Sequence, residues 1–269
     1  KAIPALLLSL LLLTACQRQT DPAPSPSVPP ESSPEVSLPA AEPSPTPTPE
    51  DEIFAPDMPV DEDFWEKEFR DEGTDALVMR VSIALPQPTD GFPQAVRNHY
   101  AFLRAEIETQ AEDRAERARA EYEAARAGGQ DFLPVAWEGN YSVERNDGRY
   151  LSVRRDDTRF DGGLRDIAAV AGETFDLATG AIVTLDSLAA GDVDAFRETW
   201  AALVCAQIAP DAENYFETYE QLVREIEPQF CLTEEGLSLY YQVYEIAPYT
   251  MGVCQFDIPR TELDGLWTA

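Results

Sequence analysis

The chain has 269 residues, of which 50 are acidic against 20 Lys and Arg and a single His, for a formal charge of −30 and a pI near 4.1. This balance excludes nucleic-acid binding and adhesion to anionic lipid, because phosphate-rich surfaces repel such a protein. It suits a basic partner, and it equally serves the solubility of an exported protein.

Residues 6–15 are an apolar run of leucines broken by Ser9 and closed by Thr14 and Ala15. That run is well short of the roughly 20 residues a spanning helix needs, and reads as the core of a signal peptide over 1–15. It ends in Leu13, Thr14, Ala15 and Cys16, which resembles the bacterial lipobox, where the Cys thiol receives lipid before cleavage. The expectation is a lipoprotein anchored through Cys16 to the cell membrane, with the remaining residues facing outside the cytoplasm. Several acyl chains hold such an anchor far more firmly than one. From Gln17 to Glu50 the composition is Pro, Ser, Thr, Ala and Glu, with almost nothing to bury. Residues 16–60 are therefore expected to be a disordered tether, extended at about 3.1 Å per residue and able to lift a domain on the order of 100 Å.

Folded protein is expected from residue 60 or 70 onward, in two halves, 61–165 and 166–269. Residues 51–73 are acidic with aromatic interruptions at Phe54, Phe64, Trp65 and Phe69, and read as a short helix or peripheral arm. Leu77, Met79, Val81, Ile83 and Leu85 alternate as a half-buried strand does, and Pro86 and Pro88 are expected to end it. A helix follows near residues 93–126, with Val96, Tyr100, Leu103 and Ile107 on one face. Beyond Ile107 that face thins to Ala111, Ala115, Ala118 and Tyr122, so the second half is expected to project or pack lightly. Residues 135–143 alternate again, and Asn146, Asp147 and Gly148 mark a hairpin into residues 149–154. A second hairpin joins 168–175 to 181–185 through a loop ending at Gly180. Two helical stripes come next, Phe196 to Ile208 with Asp192 or Asp194 as N-cap, and Phe216 to Ile226, with Pro210 breaking between them. Strands near 229–233, 237–243 and 253–258 close the chain as a meander. The fold class is α+β: antiparallel hairpins with a long helix and two shorter helices packed on them.

No catalytic constellation emerges. The single His99 excludes His-based triads and multi-His metal sites, and reads as a partly exposed surface residue. Asp156, Asp157 and Asp161 lack the alternating oxygens and distal Glu of a calcium loop and read as an exposed acidic loop. No cofactor is expected. Among Tyr240, Tyr241, Tyr244 and Tyr249 a binding platform and a core edge both remain open. Cys205, Cys231 and Cys254 remain after lipidation. In an oxidising compartment Cys205 is expected to pair with Cys231 or Cys254, since a meander separates the strands of 231 and 254 by roughly 10 Å.

The run from Tyr244 to Leu263, with Glu245, Ile246, Ala247, Pro248 and Tyr249, then Gly252, then Phe256, Ile258 and Pro259, resembles the closing motif of a family of exported bacterial domains. The family includes the lysozyme-sensing ectodomain of the sigma-V anti-sigma factor and the non-catalytic domain of peptidoglycan deacetylases (domain of unknown function families 3298 and 4163). Phe175 to Gly180, Leu185 to Leu188 and Phe230 to Gly236 are collinear further matches. Residues 61–165 resemble the deacetylase accessory half and 166–269 the lysozyme sensor. Many relatives carry a His before the hairpin where this chain has Arg165, so the role of that His does not transfer. The resemblance implies a recognition domain alone on a lipid tether, non-enzymatic; Tyr244, Tyr249 and Arg165 are the candidate ligand-binding residues. Its partner would be a cationic lysozyme-like protein or peptidoglycan glycan. A carboxylate-dependent cell-wall hydrolase and a structural envelope spacer are the alternatives.

Overall fold

The structure is a computed structural model that describes residues 55–163 and 165–269. Cys16, the signal peptide over 1–15 and most of the tether over 16–60 lie outside the described residues. Six strands form the larger sheet, in the order β1 (Val60–Arg70), β2 (Leu77–Pro88), β3 (Val135–Asn146), β4 (Tyr150–Phe160), β5 (Ile167–Asp176) and β6 (Ala181–Ile182). All neighbours are antiparallel except β2 and β3, which run parallel because α1 (Gln94–Ala127) carries the chain across between them. The fold is thus α+β as expected, with one βαβ unit among the hairpins. The sheet crosses residue 165, where the two sequence halves meet, through the β4–β5 pairing.

Four local expectations are corrected here. Within the acidic 51–73 segment no short helix forms over Val60–Arg70, which is an edge strand hydrogen-bonded along β2. Its inward residues Asp63, Trp65, Lys67 and Phe69 alternate, but only Phe69 is fully buried, so charge masks the period. Pro88 ends β2 as expected, but Pro86 does not, because β3 pairs with β2 only from Met79 to Ile83. Beyond that point one side of β2 has no partner strand and a missing N–H costs nothing. The second half of α1 does not project; Ala111, Ala115 and Ala118 are at most 1% exposed against the β2 and β3 side chains. Finally, the second hairpin arm stops at Ile182, and Thr184 caps a short 3₁₀ turn over Leu185–Leu188.

The smaller sheet is the expected meander, β7 (Gln229–Leu232), β8 (Gly236–Tyr241) and β9 (Cys254–Pro259). Alternation divides its side chains between two environments. Leu237, Leu239, Tyr241, Phe256 and Ile258 meet α2 (Val193–Ile208) and α3 (Tyr219–Glu225), whose Phe196, Val204, Ile208 and Val223 complete the largest core. Asp192 caps α2 through the Ala195 N–H, as the sequence suggests. On the other face Cys231 and Tyr240 pack on Val170 of β5. The two sheets approach so closely at β5 that a Cβ on Gly172 would collide with the Phe230 backbone. Cross-sheet hydrogen bonds reinforce this seam: Leu232 N–H donates to Ser152 Oγ at 2.9 Å, and Ser152 shares a hydrogen bond with Thr174.

Candidate functional site

After β8 the chain enters a loop, 242–253, held at several points. The Gln242 side chain behaves like an added strand residue, accepting from the Val170 N–H at 3.0 Å and donating to the Val170 carbonyl at 2.7 Å. Ile246 and Ala247 are buried in the large core, and the Ile246 carbonyl accepts from the Phe216 N–H. Between these anchors Tyr244 is forced to a φ of 70° and stands 63% exposed. A non-glycine residue in this left-handed region carries conformational strain, which persists only where its surroundings fix it.

A 3₁₀ turn over Tyr249–Met251 brings Tyr249 back beside Tyr244, with ring centroids 5.8 Å apart and planes tilted by 45°. The Tyr249 hydroxyl donates to the Asp166 carbonyl, and the exposed Arg165 guanidinium lies 4.7 Å from the Tyr249 ring centre. The structure therefore brings together all three residues singled out in the sequence, Arg165, Tyr244 and Tyr249. Beside them is a shallow concavity of about 370 Å³ bordered by Ala168, Val243 and Met251. Ile167 and Met251 add exposed apolar surface. Tyr240 and Tyr241 do not join this platform: both are core residues, and the Tyr241 hydroxyl donates to the Val223 carbonyl.

The expected disulfide is absent, and Cys205, Cys231 and Cys254 are free thiols. Strand alternation is the reason for two of them: Cys231 faces β4 and β5, whereas Cys254 faces the helices. Cys205 lies on α2 near Arg224, whose Nη1 donates to Sγ at 3.5 Å. Burial pushes the Cys231 thiol up to about 12 and raises the other two as well, so none is poised as a thiolate nucleophile.

A charged network on the α1 side of the larger sheet is absent from the sequence reading. His99 Nε2 lies 3.4 Å from Glu173, Arg155 Nε reaches the same carboxylate at 3.2 Å, and Arg155 also faces Asp157 at 3.7 Å. Asp157 in turn accepts from Trp137 Nε1 at 3.1 Å. Asp156 and Asp157 are residues of β4, paired with Arg154 and Arg155, and of the expected exposed acidic loop only Asp161 lies beyond the strand. Burial works to raise the Glu173 carboxyl, but the neighbouring His99 imidazole and the Arg155 guanidinium outweigh it and hold it below the usual carboxylate range. The network ties α1 to β4 and β5 and opposes each charge with another. Among the described residues no group of three His, Cys, Asp or Glu side chains is placed to hold a metal ion. No described helix is long and apolar enough to cross a membrane.

The loop and the helices behind it fall inside one recognised sequence unit. Residues 189–261 match the family described as Protein of unknown function (DUF3298). Two solved structures of DUF3298 proteins share the fold. One, from Bacteroides fragilis, is 15% identical, with a TM-score of 0.65 over 80% of this chain and 96% of its own. The other, from Pseudomonas aeruginosa, is 17% identical, with a TM-score of 0.55 over 78% of this chain and 95% of its own. No curated protein matches the chain. The similarity to these DUF3298 structures therefore extends beyond the matched segment to the larger sheet and α1.

Proposed function

We propose that this chain is a non-enzymatic, lipid-anchored envelope protein whose acidic domain binds a cationic lysozyme-like protein or a cell-wall glycan, facing outside the cytoplasm. The observation that carries the reading is the joined platform of Arg165, Tyr249 and the strained, exposed Tyr244 beside an apolar concavity. Tyr and Arg are among the residue types that dominate protein-binding hot spots, because they combine large contact area with polar tips, and Met is enriched at interfaces. The charge of −30 adds long-range attraction for a basic protein, which favours the protein ligand over the neutral glycan. The resemblance of the 244–263 run to lysozyme-sensing and deacetylase-associated domains points the same way.

The test is calorimetric titration of the protein with a cationic lysozyme at low salt, beside peptidoglycan fragments. Binding of the lysozyme that Tyr249→Ala weakens by about tenfold or more is expected of a hot-spot residue. Absence of lysozyme binding at low ionic strength would remove the protein version. Peptidoglycan turnover by the protein would favour the hydrolase instead.

A further inference from the structure

Strand β5 has a second edge, turned away from β4, and the chain closes most of it with its own side chains. The unbroken β4–β5 register and the two bonds between Val170 and the Gln242 amide fix which residues face that edge. An antiparallel strand turns the N–H and C=O of every second residue to the same side. Asp166, Ala168, Val170 and Gly172 therefore form one row. The Asp166 carbonyl accepts from the Tyr249 hydroxyl, Gln242 answers both groups of Val170, and the Gly172 N–H donates to Gln229 Oε1 at 3.3 Å. Only Ala168 in this row has no partner on either group among the described residues. It is exposed, and it borders the concavity of about 370 Å³ beside the tyrosine platform.

The neighbouring Gln242 shows what fills such a position: a group that accepts from the N–H and donates to the C=O of a single residue. One residue of an extended peptide does this, since its own N–H and C=O point to the same side of its backbone. The acetamido group of an amino sugar does not, because the N–H and C=O of a trans secondary amide point in opposite directions. In strand addition the backbone pairing gives affinity and the alternate side chains give selectivity. A side chain entering the concavity meets Val243 and Met251, which favours an apolar residue at the pairing position. Its neighbours meet a protein of charge −30, which favours basic residues on either side. At the rim Arg165 is followed by the exposed Asp166, so no net local charge opposes them.

We infer that the open position at Ala168 is a strand-addition site for one residue of an extended, basic peptide segment. The C=O of that residue accepts from the Ala168 N–H, and its N–H donates to the Ala168 carbonyl. The inference rests on the protein-ligand version of the reading above for the identity of the partner, and names an extended segment of that partner as the part that is held.

The probe is the peptide acetyl-Lys-Val-Lys-amide, titrated into ¹⁵N-labelled protein beside an analogue N-methylated at Val and beside N-acetylglucosamine. The Ala168 amide resonance is assigned by its loss in Ala168→Ser, which keeps the N–H. A saturable shift of that resonance by the peptide is expected. N-methylation removes one hydrogen bond and should weaken binding by about three- to tenfold. Ala168→Pro deletes the N–H on the side away from β4, leaves the β4 ladder intact, and should weaken binding by a similar factor, read through the Gly252 amide at the edge of the concavity. If that variant does not fold, the N-methylated peptide decides. An Ala168 resonance unmoved by the peptide overturns the inference. So does equal binding of the N-methylated peptide, undiminished binding by folded Ala168→Pro, or an equal response to N-acetylglucosamine. The lysozyme titration keeps the two readings apart: lysozyme binding with a silent peptide removes this inference alone, and peptide binding without lysozyme binding removes the lysozyme-like partner alone.

Discussion

Tyr244 concentrates the functional argument in one side chain, because its backbone is strained and its ring is left in solvent. A folded protein gains nothing in stability from that combination, since a positive φ costs a non-glycine residue of the order of 1 kcal/mol or more. Tyr244→Gly relieves the strain and loosens the unfolded chain by a comparable amount. Its stability should therefore stay within about 1 kcal/mol of the parent in urea unfolding, while affinity for a cationic lysozyme falls by about tenfold. Lost stability of several kcal/mol would mean that the ring is structural. Cys231 makes the opposite case of a residue with chemistry but no access. Its thiol is raised from 9.0 to about 12 by burial, so the unfolded chain ionises first as pH rises. Stability from this group is full below pH 9 and drains away toward pH 12, at about 1.4 kcal/mol per unit once the unfolded thiol is ionised. Between pH 8 and 10, Cys231→Ala should lose about 1.4 kcal/mol less than the parent in denaturant unfolding. Equal losses in both proteins would place the alkaline transition elsewhere.

At the scale of elements, α1 shows what sequence periodicity conveys and what it omits. The helix itself and its Val96–Tyr100–Ile107 face were legible because the spacing is regular. The Ala111–Ala115–Ala118 stripe suggests only weak contact in sequence, since small side chains carry little hydrophobic signal. In the structure they are small because the sheet is close, with bulky Val81 and Trp137 filling the space from the other side. Ala115→Leu should consequently overpack the seam and lower stability by about 1–3 kcal/mol, measured by urea unfolding. A helix that merely projected would tolerate or welcome the larger residue. The turns at Asn146–Gly148 and Asp176–Gly180 were legible for a local reason: their backbone demands are met by the residues in the turn itself. The β1 strand was not, because its order comes from pairing with β2 while its own residues are mostly charged. The His99–Glu173–Arg155 network escaped for a similar reason, as it depends on how α1 lies across β4 and β5. The tyrosine platform was legible through the closing motif, but its geometry required Gln242 to fix the loop onto Val170, a contact no local pattern encodes.

For the whole molecule, one quantity acts on two equilibria with opposite sign. The net charge of −30 repels itself more strongly in the compact state than in the expanded one, so it lowers stability at low ionic strength. The same field attracts a cationic ligand and speeds its encounter, again most strongly at low ionic strength. The local ion pairs that salt would weaken are mostly at least partly exposed and contribute little each. Screening over about 10 Å at 0.1 M should therefore relieve the repulsion more than it costs in pairs. Raising salt from about 10 mM to about 300 mM is expected to raise Tm by a few degrees while weakening binding of a cationic lysozyme by about tenfold or more. Thermal unfolding and titration calorimetry on one preparation read both effects. If affinity holds constant while Tm rises, the acidity serves solubility and the platform binds through its aromatic surface alone. If Tm falls with salt, the surface pairs outweigh the repulsion, and charge is then part of what holds the fold together.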